Sequence, residues 1–144
     1  MAINFHPRPG SILECDFSQG FKEPEMTKES RPVLVISPSI ATRGKLVTVV
    51  GLSTVQPNPR MPYHLELPKK SLPMLGRYQK KSTWLKGDMI YTVGFHRLDL
   101  IHLGRDKTTK KRKYFYDRLG RDQMKLVYGC VLESLNMHHL VEHI

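Results

Sequence analysis

The chain is poor in acidic residues, cysteine, tryptophan and long apolar runs. Its 144 residues hold 13 Asp and Glu against 23 Lys and Arg, a formal net charge of +10. Such a field repels other cations and attracts polyanions, either nucleic acid or an acidic protein. The plainer alternative is a small domain that is basic without a specific cause. The two cysteines, Cys15 and Cys130, both lie in apolar, patterned segments. They form neither a disulfide framework nor a metal-ligand pair, and read as buried free thiols of a reducing cytosol. No stretch approaches the roughly 18 apolar residues of a membrane span. The start, MAINFHPRPG, lacks the apolar centre of a signal peptide. A soluble cytoplasmic protein with no membrane partner is therefore expected. No Gly-rich phosphate loop, nucleophile elbow or paired-cysteine motif occurs, which argues against the familiar ATP-driven and hydrolase classes. MHHLVEH at the C-terminus imitates a zinc-binding HExxH only superficially and reads as a frayed end. Neither a metal nor a cofactor is expected.

What is present is unevenly spread. Residues 1–68 are nearly balanced, with seven basic and six acidic side chains. Residues 69–87 carry Lys69, Lys70, Arg77, Lys80, Lys81 and Lys86 and no acid. Residues 105–125 carry nine basic residues against three acidic. The excess sits in two blocks, which points to surfaces and not to a general bias.

The length suits one domain, 1–144, with basic insertions near 69–82 and 105–118. SILECDF (11–17) alternates and predicts a half-buried first strand. A long polar loop follows over 18–30. RPVLVIS (31–37) is a β-branched run with its proline at the start, where no ladder hydrogen bond is needed. KLVTVVGLST (45–54) predicts a third strand and MPYHLELP (61–68) an edge strand. TWLKGDMIYTVGF (83–95) predicts another strand, broken at Gly87. LDLIHLG (98–104) continues the sheet or crosses it, and RDKTTKKRKYFY (105–116) reads as a basic loop or hairpin tip. Residues 120–137 predict the one helix. Met124, Val127, Tyr128, Val131, Leu132 and Leu135 share one face, with Asp122 near the positive end of the dipole. Short strands followed by a terminal helix predict a mainly β fold, a small barrel or sheet closed by a C-terminal helix.

The residues that can carry chemistry stand at strand ends. Arg31 opens the second strand, Ser53 and Thr54 close the third, and Lys86 and Asp88 flank Gly87. Glu23, Glu25 and Glu29 lie in the loop before Arg31. If these ends share a rim, a guanidinium, hydroxyls and a carboxylate meet in one concavity. RNA cleavage by its own 2′-hydroxyl needs a proton acceptor, a proton donor and a cation for the phosphorane. It needs no metal and no protein nucleophile. Each residue also has a plainer reading. A Ser-Thr pair often only makes a turn, Asp88 can be a bulge residue, and Arg31 a surface charge. In KTTKKRKYFY, cations alternate with Tyr114, Phe115 and Tyr116, as a base-stacking surface would have them or as a strand with aromatics inward would. Trp84 reads as core or interface before base stacking.

PGSILECDF, a loop, RPVLVISP and then LVTVVGLST, followed by PYHLELP and KGDMIYTVGFHRL, resemble the MazF/PemK (Kid-like) toxin superfamily in order over most of the chain. The N-terminal MAINFHPRPG with FKEPEM and GDMIYTVGFHRLD looks like its YifN-type branch. The resemblance implies a CcdB/MazF/PemK-like, SH3-like barrel, usually a homodimer. It implies a toxin of a type II toxin-antitoxin system, a metal-independent endoribonuclease. Such an enzyme cuts single-stranded RNA, including mRNA, to a 2′,3′-cyclic phosphate, and an antitoxin, often acidic, neutralises it. By position, Arg31 matches the catalytic arginine, Ser53 the catalytic hydroxyl and Thr54 its neighbour. Asp88 matches the carboxylate base of Kid-like members, and Glu25 sits near the loop position of a histidine or glutamate. Lys86 matches a nearby arginine and, with Lys80, Lys81, Lys110, Lys111, Arg112 and Lys113, is expected to bind RNA. The chain departs from the pattern at Gly51, where a proline is usual, at Lys86, in the loop before Arg31 and in its two insertions. These departures keep open a non-catalytic nucleic-acid-binding module on the same fold. A CcdB-like grip on a protein target has no support in the C-terminal NMHHLVEHI.

Overall fold

A computed structural model describes residues 2–69, 71–73 and 82–144. The strands are β1 (Ile12–Asp16), β2 (Ser30–Val35), β3 (Leu46–Ser53), β4 (His64–Glu66), β5 (Trp84–Gly94), β6 (Leu98–Asp99), β7 (His102–Arg105) and β8 (Arg112–Tyr114). One α-helix, α1 (Arg121–Ser134), follows, then a 3-10 turn at His138–His143. Six strands form one antiparallel sheet in the order β4-β5-β3-β2-β1-β6, and β7 and β8 form a separate hairpin. The expected mainly β architecture with a C-terminal helix is the one observed, and β4 takes the edge position its sequence predicted.

Both faces of the sheet are buried, which explains the nearly unbroken apolar runs of β2 and β3. Strand alternation sends Ile12, Leu34, Val50, Leu52 and Leu85 to one face, where Met124, Val127 and Cys130 of α1 cover them. It sends Leu13, Cys15, Val33, Val35, Val47 and Val49 to the other, with Phe17, Met26 and Val93. That second face is roofed by the β1–β2 loop, polar as it reads. Phe21 packs edge-on against Phe17 and Tyr91, with ring centroids 5.0 and 5.6 Å away. Met26 is buried in the same cluster. The Tyr91 hydroxyl donates to the Glu25 carbonyl at 2.6 Å. Both cysteines are free and buried. Burial pushes the Cys15 thiol up to about 12, so it stays protonated.

Two readings change. The strand is not broken at Gly87; β5 runs through it as an irregularity. Val50 pairs with Ile90 and Leu52 with Leu85, so Lys86, Gly87, Asp88 and Met89 stand against the single residue Gly51. A Cβ on Gly87 would lie 2.6 Å from the Tyr63 carbonyl oxygen and 2.9 Å from that of Cys130. The bulge is thus held directly against the backbone of α1. The helix face is also rotated from the apolar stripe. Gly129 and Cys130 are buried with Met124 and Val127, while Leu135 is 55% exposed. Close backbone approach at Gly87 selects the small side of the helix, not its largest side chains.

Candidate active site

Alternation puts Arg31 on the loop-roofed face with Val33 and Val35. Extending the Val33–Gly51 pairing by two residues sets Arg31 across from Ser53. His64 pairs with Lys86 on the far side of β5. The ends of β2 and β3, the β5 bulge and the β1–β2 loop therefore meet at one rim.

Arg31 is its centre. The residue is only 5% exposed. Its Nη1 donates to the Leu52 carbonyl at 3.3 Å and lies 3.7 Å from Met89 Sδ. Its buried Nε has no hydrogen-bond partner among the described residues. Among the described residues no carboxylate pairs with it. Burial lowers its pKa, but a guanidinium stays charged at any working pH. A buried cation without a counter-ion and with a free donor is costly unless something anionic completes it. Gly51 makes the space: a Cβ there would meet Met89 Cβ at 3.2 Å and Arg31 Cδ at 3.5 Å. The lack of a side chain at Gly51 lets Arg31 and Met89 close over the strand.

The other expected residues fall into place unequally. Lys86 is half-buried, and its pKa is lowered by burial and then by the Arg31 charge, with Asp88 opposing and Lys28 adding to the fall. Asp88 is exposed on the bulge, close enough that its charge acts on His64, Lys86 and Tyr91. Glu25 has an exposed side chain, and its carbonyl anchors Tyr91. The Ser53 hydroxyl is drawn into its own turn, accepting from the Val55 N–H at 3.1 Å. Thr54, half-buried, makes no side-chain hydrogen bond with the described residues. Lys80 and Lys81 lie outside the described residues. Lys110, Lys111, Arg112 and Lys113 are exposed on the β7–β8 hairpin and are not brought to this rim.

Three rim residues escaped the sequence reading. Lys28 adds a cation, and Tyr91 pins the loop. His64, one of several scattered histidines, stands beside Lys86. Its Nδ1 accepts from the Met61 N–H at 3.0 Å, which places the neutral ring's proton on Nε2. Burial lowers its pKa, opposed by Asp88, so the neutral form is favoured. Only the β4–β5 register, a long-range pairing, reveals it.

Fold and rim together define a small β protein with a buried arginine at its strand ends. Residues 8–134 match the family of PemK-like, MazF-like toxins of type II toxin-antitoxin systems, and the chain belongs to that family. It is 31% identical to an uncharacterized protein of Haemophilus influenzae over 153 aligned residues, covering 99% of each chain. It is 27% identical to the putative uncharacterized protein YifN of Escherichia coli, covering 98% of this chain and 99% of that one, in keeping with the expected branch. Among solved structures, MazF from Deinococcus radiodurans aligns with a TM-score of 0.59 at 18% identity, covering 93% of this chain and all of that one (100%). A mycobacterial endoribonuclease in complex with its cognate antitoxin gives 0.58 at 18% identity, covering 92% and 97%. The likeness to these two structures is one of fold.

Proposed function

We propose that this toxin-family chain is an endoribonuclease that cuts single-stranded RNA without a metal. The observation that carries the reading is Arg31, buried and, among the described residues, without a carboxylate and with Nε unpartnered. A scissile phosphate at the rim completes it. Arg31 holds the non-bridging oxygens and stabilises the charge of the phosphorane. Thr54 orients the phosphate, while Ser53 keeps the turn that presents it. Asp88 accepts the proton of the 2′-hydroxyl, which then attacks phosphorus. The bond to the 5′-oxygen breaks, and Lys86, its pKa lowered, gives that oxygen a proton. The products are a 2′,3′-cyclic phosphate and a free 5′-hydroxyl. Glu25 is a second carboxylate at the entrance, on the loop that Tyr91 pins. An acidic antitoxin, a homodimeric assembly and a cytoplasmic setting belong to this reading, by analogy with the mycobacterial complex and the family.

The test is incubation of long single-stranded RNA with the protein in EDTA, beside Arg31→Ala. Fragments ending in a cyclic phosphate, absent with the variant, are expected. Cleavage at an equal rate by the variant refutes the assignment. A second reading, a binding module without turnover, is favoured by the engagement of the Ser53 hydroxyl in its own turn. It predicts intact RNA that is nonetheless retarded on a gel.

A further inference from the structure

A second cationic site lies at the other end of β2. Gly10 N–H donates to the Val35 carbonyl at 2.8 Å, and Leu119 N–H donates to that of Gly10 at 3.1 Å. Ser11 bridges Arg118. These bonds bring the N-terminal arm and the segment after β8 together at the Val35 end of β2, four residues from Arg31 and about 13 Å along at the usual rise. Between them is a pocket of about 560 Å³ lined by Phe5, Arg8, Tyr116 and Arg118, with one carboxylate, Asp117, among the rest. It continues into a neighbouring hollow of about 380 Å³ that Arg118 shares and Lys69 borders. One described residue from each basic block, Lys69 and Arg118, thus borders one groove.

The aromatic side chains distinguish this groove from a merely basic surface. Tyr116 is 69% exposed and Phe5 46%. Neither ring belongs to the buried core, whereas the neighbouring Phe115 does. Rings also continue up the hairpin: Tyr116 to Tyr114 at 6.4 Å between centroids, and Tyr114 to His102 at 4.9 Å. A row of exposed and half-buried rings beside guanidinium groups offers stacking planes for unpaired bases and charges for the phosphates between them. An acidic peptide would use the charges and leave the rings idle.

We propose that the Phe5–Arg8–Tyr116–Arg118 pocket is a nucleotide subsite for single-stranded RNA, remote from the Arg31 rim. Tyr116 and Phe5 stack a base, and Arg8 and Arg118 hold its phosphate. This deepens the ribonuclease reading, since it names where a long substrate is held away from the scissile bond.

The test is binding of a labelled single-stranded oligonucleotide of about 16 nucleotides, followed by anisotropy in an Arg31→Ala background so that nothing is cut. Tyr116→Ala is expected to weaken binding about 5- to 150-fold. Arg8→Ala should reduce the salt slope by roughly 0.7. In the otherwise wild-type chain, Tyr116→Ala should raise KM for long RNA and leave cleavage of a trinucleotide unchanged. Because Tyr116 is exposed, circular dichroism should be unaltered. Unchanged binding in both variants overturns the proposal. So does binding of polyglutamate, and not RNA, that depends on Arg8 but not on Tyr116. If wild type never cleaves yet binding still depends on Tyr116, the nuclease reading falls and the subsite stands.

Discussion

Two of the positively charged regions of this molecule, the rim and the β7–β8 hairpin, hold their charge in opposite settings. At the rim, one guanidinium is 5% exposed, lies among Met89, Gly51 and the Leu52 carbonyl, and lacks an ionic partner among the described residues. On the hairpin, Lys110, Lys111, Arg112 and Lys113 stand in solvent. A charge in a dry, fixed setting acts strongly on one anion and needs no rearrangement when charge develops there. Charges in water act weakly, additively and under salt screening. On the proposed reading, the first does chemistry at a point and the second holds a polymer.

The largest expected effect tests the rim directly. Arg31→Met removes the charge and keeps most of the packing. Cleavage should fall at least about 10²- to 10³-fold, while stability is unchanged or higher, because an uncompensated buried charge is gone. Thermal melting beside a cleavage assay reads both. A variant that loses stability and activity together would make Arg31 a structural residue and erase the contrast.

Gly87 comes next, and it separates support from chemistry. Adding a methyl group drives it against two backbone oxygens, of Tyr63 and Cys130, that cannot step aside cheaply. Gly87→Ala should cost about 1–3 kcal/mol, seen as a lower melting temperature. Gly51→Ala faces side-chain atoms at 3.2 and 3.5 Å, which can yield. It should cost less stability but displace Arg31 and lower cleavage.

These glycines also mark where the sequence stopped being informative. Strands β1, β2, β3 and β5 were readable because alternation and β-branched runs are local signals. Arg31 stood out because a charge before a buried run is anomalous on its face. The bulge was not readable. The same Gly87 that suggests a break instead admits the helix backbone, and nothing near it in the chain says that Cys130 will arrive there. His64 was hidden for the same reason, since its partner Lys86 is found only through the β4–β5 register. The loop before Arg31 looked wholly polar because Phe21 and Met26 are too few to make a pattern, yet they fix the roof of the site.

Lys86 gives a smaller effect with a pH signature. Burial and the Arg31 charge lower its pKa below the ordinary lysine value. As a proton donor it must be charged, so activity should fall as pH rises through the lowered value, earlier than for a free lysine. Lys86→Met should lower the rate and abolish that alkaline limb. For stability the sign reverses. The unfolded chain binds the proton more readily, so this group's contribution improves as pH rises from the folded towards the unfolded pKa. Lys86→Met should therefore be more stable than wild type at neutral pH, with the difference shrinking in alkali. An identical alkaline limb in the variant would assign it to another group.

The smallest single effects belong to the hairpin. Asp106 organises its tip, accepting from the Thr108 and Thr109 N–H groups at 2.8 and 2.9 Å, and Lys113 lies 3.6 Å from its carboxylate. Lys113 is thus partly committed already, and Lys110→Ala, Lys111→Ala or Arg112→Ala should each weaken RNA binding more than Lys113→Ala. Each loss is modest at moderate salt and lowers the salt slope by roughly 0.7. Lys110 also sits at φ 60°, a conformation glycine adopts freely. Lys110→Gly should therefore weaken binding as alanine does while keeping the hairpin's stability. None of these changes should alter the rate constant on a trinucleotide too short to span both regions. If one of them slows that reaction as Arg31→Met does, the hairpin reaches the rim in the working enzyme and the division between the two regions is false.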